Sequence, residues 1–258
     1  MSGVCFIIHK VCVIKGACPG SYTDIMKTVA AILAGGSGKR FGGDTPKQFV
    51  KVYGRAIIEY TVDAFEKNPL IDEICVVVND AYINLMKETA AENKWKKLAV
   101  ILPGGRERYD SSLSAVNYYR GRDINILIHD AARPMVSQRM ITQTVQELAH
   151  FSAVCCACPA TDTIAVSDEG NLEIRYIPPR RLMYQVQTPQ GFRLKTIVQA
   201  YEKALKDPGF SATDDCGVVK TYLPDVRIKI VEGSPENIKI TRQKDLELLR
   251  SFINEYQI

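Results

Sequence analysis

A glycine-rich loop with basic residues follows the first apolar run of the sequence. The run 29–33 leads into Ala34-Gly35-Gly36-Ser37-Gly38-Lys39-Arg40, and Pro46-Lys47-Gln48 come shortly afterwards. Glycines let backbone N–H groups approach a phosphate closely, and Lys and Arg supply the opposite charge. The Gly-Gly-x-Gly spacing is neither a Walker loop nor the Gly-x-Gly-x-x-Gly dinucleotide fingerprint. The loop therefore indicates a phosphate site of another kind, with a plain glycine-rich surface turn as the alternative.

Five further motifs carry residue types that suit polar ligands. They are Gly104-Gly105-Arg106-Glu107-Arg108-Tyr109-Asp110-Ser111, His129-Asp130-Ala131-Ala132-Arg133-Pro134, Gln187-Thr188-Pro189-Gln190, Thr213-Asp214-Asp215 and Asn237-Ile238-Lys239-Ile240-Thr241. Asp130 directly follows an apolar run, where a carboxylate either meets a ligand or caps a helix. Lys239 is either a phosphate ligand or an exposed lysine at the end of a strand.

The elements that must position these motifs alternate along the chain. Apolar runs typical of buried strands lie at 29–33, 74–78, 99–102, 126–129 and 154–158. Helical spacing of apolar residues lies between them at 56–67, 81–93, 111–119 and 138–150, and later at 194–206, 214–222 and 242–256, with a strand at 226–231. This alternation predicts an α/β fold with a mostly parallel sheet flanked by helices. Such sheets bind ligands at the carboxyl ends of their strands, where the glycine loop would lie.

The alternation breaks between residues 161 and 190. The stretches 163–166 and 172–177 alternate polar and apolar residues, and Asp168-Glu169-Gly170-Asn171 between them has the composition of a hairpin turn. A two-stranded ribbon is marginally stable alone in water, so we expect it to pack on a partner subunit.

In this order, the six motifs resemble the cytidylyltransferases that activate small polyol phosphates, such as methylerythritol and ribitol phosphates. The resemblance covers residues 28 to about 253. It implies a single Rossmann-like, GT-A-like nucleotidyltransferase domain at 27–258 with a projecting β-hairpin dimerisation arm at about 161–190. Residues 1–26 would be an appendage of unknown role. The implied reaction transfers CMP from CTP to a polyol phosphate and releases pyrophosphate, with Mg²⁺ or another divalent cation.

The resemblance also assigns roles to individual residues. The implied catalytic cations are Arg40, Lys47 and Lys239. The implied nucleotide-binding residues are Ala34, Gly35, Gly36, Gly38, Gly105, Ser111 and Asp130. The implied acceptor-binding residues are Asp130, Arg133, Thr163, Arg180, Thr188 and Thr213, of which Thr163 and Arg180 serve either their own or the neighbouring subunit's site. The metal would be held mainly by phosphates, with Asp130 as a candidate ligand.

The sequence leaves two questions open: which polyol phosphate is the acceptor, and whether the protein is instead an enzyme of another class. Ile32-Leu33-Ala34, Met183-Tyr184-Gln185 and Asp162-Thr163-Ile164-Ala165 resemble the ribitol branch, whereas Ala131-Ala132-Arg133 and Gln190-Gly191-Phe192 resemble the methylerythritol branch. We therefore favour D-ribitol 5-phosphate, giving CDP-ribitol, with 2-C-methyl-D-erythritol 4-phosphate as the alternative. A dinucleotide-dependent reductase would place an acidic residue after the second strand, as Asp80 does, but the glycine spacing does not fit.

The composition of the chain argues against nucleic-acid-binding, membrane-spanning and secreted proteins. The 258 residues are 46% hydrophobic and 24% charged, with a net charge of +4, so we expect a globular protein without a nucleic-acid partner. No apolar run approaches the ~20 residues of a membrane span. Cys75, Cys155, Cys156 and Cys158 lie in strand-like runs and are expected to be buried free thiols, which points to the reducing cytoplasm. The apolar run at 4–8 is too short for a signal peptide.

Overall fold

A seven-stranded sheet forms the centre of the computed structural model, which describes residues 26–36, 41–42, 45–168, 170 and 172–256. The strands are β1 (Thr28–Ala34), β2 (Lys51–Val52), β3 (Arg55–Ala56), β4 (Glu73–Val78), β5 (Leu98–Pro103), β6 (Asn125–Asp130), β7 (Ala153–Pro159), β8 (Val166–Ser167), β9 (Ile174–Tyr176), β10 (Tyr184–Arg193) and β11 (Ile228–Glu232). The α-helices are α1 (Ile57–Glu66), α2 (Ile83–Asn93), α3 (Arg108–Tyr118), α4 (Gln138–Glu147), α5 (Leu194–Ala204), α6 (Asp215–Tyr222) and α7 (Asp245–Tyr256). The predicted α/β fold with a mostly parallel sheet is confirmed.

The strand order of the sheet creates a crevice beside β1. The order is β11-β7-β10-β6-β1-β4-β5, and all neighbours are parallel except β10, which runs antiparallel to both β6 and β7. From β1 the chain builds outward through β4 and β5, and it then returns to place β6 on the other side of β1. The loops after β1 and β6 therefore diverge, and open α/β sheets bind ligands at such a point.

Apolar side chains on both faces of the sheet explain why its strands show little polar alternation. One face packs against α1 and α4 through residues such as Phe65 and Met140. The other packs against α3, α5 and α6 through residues such as Val116 and Tyr201. Strands covered by helices on both sides are expected to be apolar throughout, and β1 is buried at every position.

A third apolar cluster fastens the C-terminal part of the chain beside the crevice. Leu249 and Ile253 of α7 pack with Ile57, Tyr60 and Ile240. This packing fixes the segment between β11 and α7, which contains Lys239, next to the loop that follows β6. The backbone N–H of Ile240 donates to the carbonyl of Ala132 at 2.8 Å.

Strand β10 is the main element that the sequence did not predict. It contains Pro189 and Gly191, which are unusual inside a strand because proline lacks an N–H donor and glycine lacks a side chain. The pairing of β10 with β7 shifts register between Val186 and Gln190, so Pro189 lies at an irregularity of the ladder. The chain pairs with β7 of the central sheet from Tyr184 onward, which lies within the predicted arm of about 161–190.

The arm itself is the short ribbon of β8 and β9. These strands pair antiparallel, and Val166 lies opposite Tyr176. The segment from 164 to 186 exposes eight large apolar side chains, namely Ile164, Leu172, Ile174, Tyr176, Ile177, Leu182, Tyr184 and Val186. Leu172 is 90% exposed and Ile174 is 65% exposed. Dimerisation through this arm stays a prediction.

The predicted burial of the cysteines is confirmed for the described residues. Cys75 lies in β4 and Cys155, Cys156 and Cys158 lie in β7, all as free thiols. Burial raises the pKa of the Cys156 thiol to about 12, so this thiol stays protonated and packs as an apolar group. The predicted appendage at 1–26 lies outside the described residues apart from Met26.

Candidate active site

A cleft of about 280 Å³ opens where β1, β5 and β6 end. Its walls come from the glycine loop, the turn after β5, the end of β6 and the segment before α7. The lining includes Ala34, Gly35, Gly36, Lys47, Gln48, Gly105, Arg108, Ser111, Asp130 and Lys239. Most of the predicted nucleotide-binding residues and two of the predicted catalytic cations therefore meet at one cleft. Arg40 and Gly38 lie outside the described residues.

Gln48 holds the start of the glycine loop in place. Its side chain is buried, and its amide nitrogen donates to the carbonyl of Ala34 at 2.6 Å and to that of Gly36 at 3.2 Å. The neighbouring Lys47 directs its Nζ to the carbonyl of Ile240 at 2.7 Å. Gln48 was missed as a site residue, although its place in the Pro46-Lys47-Gln48 motif was the signal.

Two glycines are required by close approach, Gly35 against the start of α3 and Gly105 within the turn after β5. A Cβ on Gly35 would collide with the Oγ of Ser111, and one on Gly105 would overlap the side chain of Asp110. Ser111 is buried against this contact. The loops after β1 and β5 therefore approach with backbone rather than side chains, which forms a narrow slot lined by peptide groups.

Asp130 is the electrostatic centre of the cleft. Its Oδ2 lies 2.7 Å from Lys239 Nζ and 3.7 Å from Arg133 Nε, and its Oδ1 accepts from Arg108 Nε at 3.0 Å. Burial alone would raise the pKa of this carboxyl, but the three cations hold the pKa well below its usual range. Asp130 is therefore a carboxylate at neutral pH and serves as an acceptor, not as a proton donor.

Arg108 connects this centre to a second carboxylate deeper in the protein. It is the first residue of α3, and its Nη1 donates to Oδ2 of Asp215 at 2.7 Å. Asp215, the first residue of α6, is fully buried and also accepts from the hydroxyl of Tyr201 at 2.6 Å. Neither Arg108 nor Asp215 was predicted as a site residue. Both lie within predicted motifs, but residue spacing does not show that they pair.

A chain of hydrogen bonds supports Asp130 from the opposite side. The backbone N–H of Asp130 donates to Thr188 Oγ1 at 3.1 Å, and that oxygen lies 2.9 Å from His129 Nδ1. His129 Nε2 lies 3.1 Å from the carbonyl of Arg133. Burial lowers the pKa of His129 to about 4. A neutral ring with its proton on Nε2 satisfies both contacts, with Thr188 donating to Nδ1.

Arg133 fastens the segment that carries Lys239. Its Nη1 donates to the carbonyl of Asn237 at 2.7 Å. Asn237 in turn donates through its side chain to the carbonyl of Thr188 at 2.9 Å. Arg133 and Thr188 therefore lie beside Asp130 and hold its surroundings together.

Comparison with known proteins identifies the family. A model of the 2-C-methyl-D-erythritol 4-phosphate cytidylyltransferase family matches residues 28–255. The chain belongs to this family. A 2-C-methyl-D-erythritol 4-phosphate cytidylyltransferase from Thermobifida fusca (strain YX) is 42% identical over 232 residues, which cover 88% of this chain and 93% of that protein. The crystal structure of 4-diphosphocytidyl-2C-methyl-D-erythritol synthase from Anaerococcus prevotii DSM 20548 is similar with a TM-score of 0.79 at 28% identity, covering 90% of this chain and all of that one.

Family membership confirms the predicted reaction class, a CTP-dependent cytidylyltransferase. The comparisons also test the predicted acceptor, for which the sequence favoured ribitol phosphate over methylerythritol phosphate. A bifunctional ribulose 5-phosphate reductase/CDP-ribitol pyrophosphorylase from Haemophilus influenzae is 39% identical over 222 residues, but these cover only 47% of that protein. The family model and the relative from Thermobifida fusca support the methylerythritol alternative better than the ribitol interpretation.

Three further residues that were predicted to bind the acceptor lie apart from the lining of the cleft. Thr163 and Arg180 are exposed in the arm region, where Arg180 Nη1 donates to the carbonyl of Thr161 at 3.1 Å. Thr213 is exposed just before α6. Among the residues that the structure describes as lining the cleft of a single chain, Thr163, Arg180 and Thr213 do not occur.

The acidic side chains among the described residues of the cleft bear on how a metal could be held there. Among the described residues, no group of three or more His, Cys, Asp or Glu side chains could hold a metal ion. The carboxylates that line the cleft are Glu107 and Asp130, and both oxygens of Asp130 already face cations. The described residues of the cleft therefore fit a cation that is held by the oxygens of a triphosphate.

Proposed function

We propose that this cytidylyltransferase transfers CMP from CTP to 2-C-methyl-D-erythritol 4-phosphate and releases pyrophosphate. The observation that carries the proposal is the arrangement of Lys47, Lys239 and Asp130 around a slot of glycine backbone at the crevice beside β1. The choice of acceptor rests on the family match over residues 28–255.

The reaction needs positioning and charge, not a covalent intermediate. An oxygen of the acceptor phosphate attacks the α-phosphorus, the bond from that phosphorus to the β-phosphate oxygen breaks, and pyrophosphate leaves with the electron pair. The attacking phosphate is already ionised at neutral pH, so no general base is required. This agrees with a site whose central carboxylate is firmly ionised and whose histidine is neutral.

The cationic side chains are proposed to stabilise the negative charge that develops on the phosphate oxygens during transfer. Lys239 is proposed to contact the α-phosphate, and Lys47 and Arg40 the β- and γ-phosphates. Backbone N–H groups of Gly35 and Gly36 would face the phosphates. The slot near Gly105 and Ser111 is suited to the cytosine and its ribose, because peptide groups in a narrow gap can select a flat base.

Mg²⁺ or another divalent cation is proposed to enter with the nucleotide. Hard cations prefer oxygen ligands, and a triphosphate supplies several. When bound, the ion would neutralise the phosphate charge. Asp130 offers a poor additional ligand, since Arg108 and Lys239 already occupy its oxygens.

The arm is proposed to form a homodimer and to complete the acceptor site. Its exposed apolar side chains, such as Leu172, Ile174 and Tyr176, form a surface that a second copy of the chain would cover. Arg180 is proposed to clamp the acceptor phosphate, because a guanidinium can hold two phosphate oxygens at once. Thr163 would serve the same acceptor, in its own or the neighbouring site, together with Arg133, Thr188 and Thr213.

The cytoplasm is the proposed location. In the described part of the chain, each helix is too short or too polar to cross a membrane. The buried free thiols of β4 and β7 suit a reducing compartment. Both substrates are small molecules, and no nucleic-acid partner is proposed.

Pyrophosphate release tests the function directly. The purified full chain would be incubated with Mg²⁺ and CTP, together with either 2-C-methyl-D-erythritol 4-phosphate or D-ribitol 5-phosphate. We expect a kcat/KM for the methylerythritol acceptor at least ~10-fold above that for ribitol phosphate. A higher kcat/KM with ribitol phosphate would overturn the choice of acceptor. The absence of release with both acceptors would overturn the proposed reaction.

A further inference from the structure

Arg108 is the one side chain in the described part of the chain that bonds to both buried carboxylates of this region. Its Nε reaches Asp130 at 3.0 Å and its Nη1 reaches Asp215 at 2.7 Å. Asp215 is fully buried and is fixed further by Tyr201 of α5 and by its own backbone N–H, which donates to Gln190 Oε1 at 3.1 Å. Arg108 is therefore anchored to the interior at one end and to the cleft at the other.

The orientation of Asp130 depends on this anchor. Arg108 binds Oδ1, whereas Lys239 binds Oδ2, so each carboxylate oxygen has its own close cation. Without Arg108, Oδ1 would lose its close cation, and only Lys239 and Arg133 would orient the carboxylate. Lys239 would then follow the reoriented carboxylate, and with one competing cation fewer it would be held more strongly by Asp130 and be less available to an incoming phosphate.

The net charge of the cluster is a second effect of Arg108, separate from the orientation of Asp130. Arg108, Arg133 and Lys239 face Asp130 and Asp215, which leaves a net excess of one positive charge in this cluster. Loss of Arg108 alone would remove that excess, and the cluster would then attract a polyanion less strongly. Loss of Arg108 together with Asp215 would keep the excess at one positive charge, because one charge of each sign is removed.

We propose that Arg108 is a positioning residue, which uses the buried Asp215 as an anchor to orient Asp130 and thereby holds Lys239 in place for the α-phosphate. The inference rests on the proposed function, because it assigns Lys239 to the transferred group. A lysine could not replace Arg108, since one ammonium group lacks the fork that reaches two separate carboxylates.

A purely structural role is the competing explanation, and a double variant separates the two. Arg108→Gln alone leaves Asp215 buried without its cation, so its melting temperature should fall by about 10 °C. Arg108→Gln combined with Asp215→Asn replaces the ion pair by two neutral amides that can bond to each other. The double variant should melt within about 3 °C of the wild type.

Steady-state kinetics of the double variant then test the positioning role. We expect kcat to remain about 100-fold below the wild type, because misplacement of a catalytic cation by about 1 Å has that order of effect. The KM for CTP should change less than about fivefold, since the glycine slot is untouched. Arg108→Lys should show the same loss of kcat. Arg120→Gln, which removes an exposed ion pair to Glu202, is the matched control and should keep wild-type rates.

Two results would overturn the proposal. One is recovery of wild-type kcat in the double variant, which would make Arg108 a structural residue. The other is an unchanged position of Lys239 Nζ in crystal structures of the wild type and the double variant, a comparison that does not depend on turnover. We expect the two positions to differ by about 1 Å or more. An inactive wild type would instead contradict the proposed function, and the crystal structures would still decide on Arg108.

Discussion

The Nζ of Lys239 lies 2.7 Å from Oδ2 of Asp130, and this ion pair joins the C-terminal part of the chain to the end of β6. The contact is supported by Arg133, which holds Asn237, and by the backbone bond between Ile240 and Ala132. The segment before α7 thus forms one side of the cleft.

Removal of either described lysine of the cleft should reduce turnover strongly. Lys47→Ala and Lys239→Ala are each expected to lower kcat by at least ~100-fold, because each removes a cation that we propose to face developing phosphate charge. Melting curves should show that both variants fold. Lys220→Ala, an exposed lysine of α6 outside the cleft, is the control. Near-normal kcat in a folded Lys47 or Lys239 variant would contradict the assignment of that residue.

The glycine slot should tolerate no side chain at Gly35. Gly35→Ala places a Cβ against Ser111 Oγ, so the hydroxyl of Ser111 or the loop itself must move. We expect the KM for CTP to rise about tenfold or more, a size typical of overpacking. Gly209→Ala is the control, because its Cβ would meet Asp207 Oδ1 at an ordinary contact distance of 3.4 Å. An unchanged KM in Gly35→Ala would show that the close approach is unimportant for binding.

The buried His129 should make the protein less stable as the pH falls. Its pKa is about 4 in the folded protein and about 6.5 when unfolded, so between these values only the unfolded chain takes up a proton. The loss should amount to about 2 kcal/mol between pH 7 and pH 5. Asp130 does not contribute in this window, because its pKa lies well below the usual value and its stabilisation is lost only at lower pH.

Urea unfolding at pH 7 and pH 5 measures this effect. The wild type is compared with His129→Gln, in which the amide nitrogen can still donate to the carbonyl of Arg133. The variant should lose about 2 kcal/mol less than the wild type over this interval. Equal losses in both proteins would mean that His129 is not the group responsible.

The apolar surface of the arm should hold two chains together. Ile174→Asp introduces a charge at a side chain that is 65% exposed in one chain, and we expect it to convert a sedimenting dimer into a monomer. Leu248→Asp on α7 is the matched control, since Leu248 is exposed outside the arm. A wild-type monomer, or a dimer unaffected by Ile174→Asp, would contradict dimerisation through this surface.

The sequence predicted the parts of the fold that local pattern determines. The runs that became β1, β4 and β6 are uniformly apolar because helices cover both faces of the sheet. Strand β10 was missed because Pro189 and Gly191 weaken the strand pattern, while its place between β6 and β7 comes from tertiary pairing.

The site was predictable where motifs carry its chemistry and unpredictable where distant residues pair. The glycine loop, Lys47, Asp130 and Lys239 follow from their motifs and the family resemblance. The bond from Arg108 to Asp215 joins the starts of α3 and α6, and nothing in the spacing of these residues indicates it.

The most direct test of the account is the identity of the product. Phosphorus NMR of a reaction with CTP, Mg²⁺ and 2-C-methyl-D-erythritol 4-phosphate should show two coupled resonances of a diphosphate diester, with inorganic pyrophosphate formed in equal amount. This result would establish transfer of CMP to the acceptor phosphate. Formation of CMP or CDP without the diester, or a diester with D-ribitol 5-phosphate only, would contradict the proposed function.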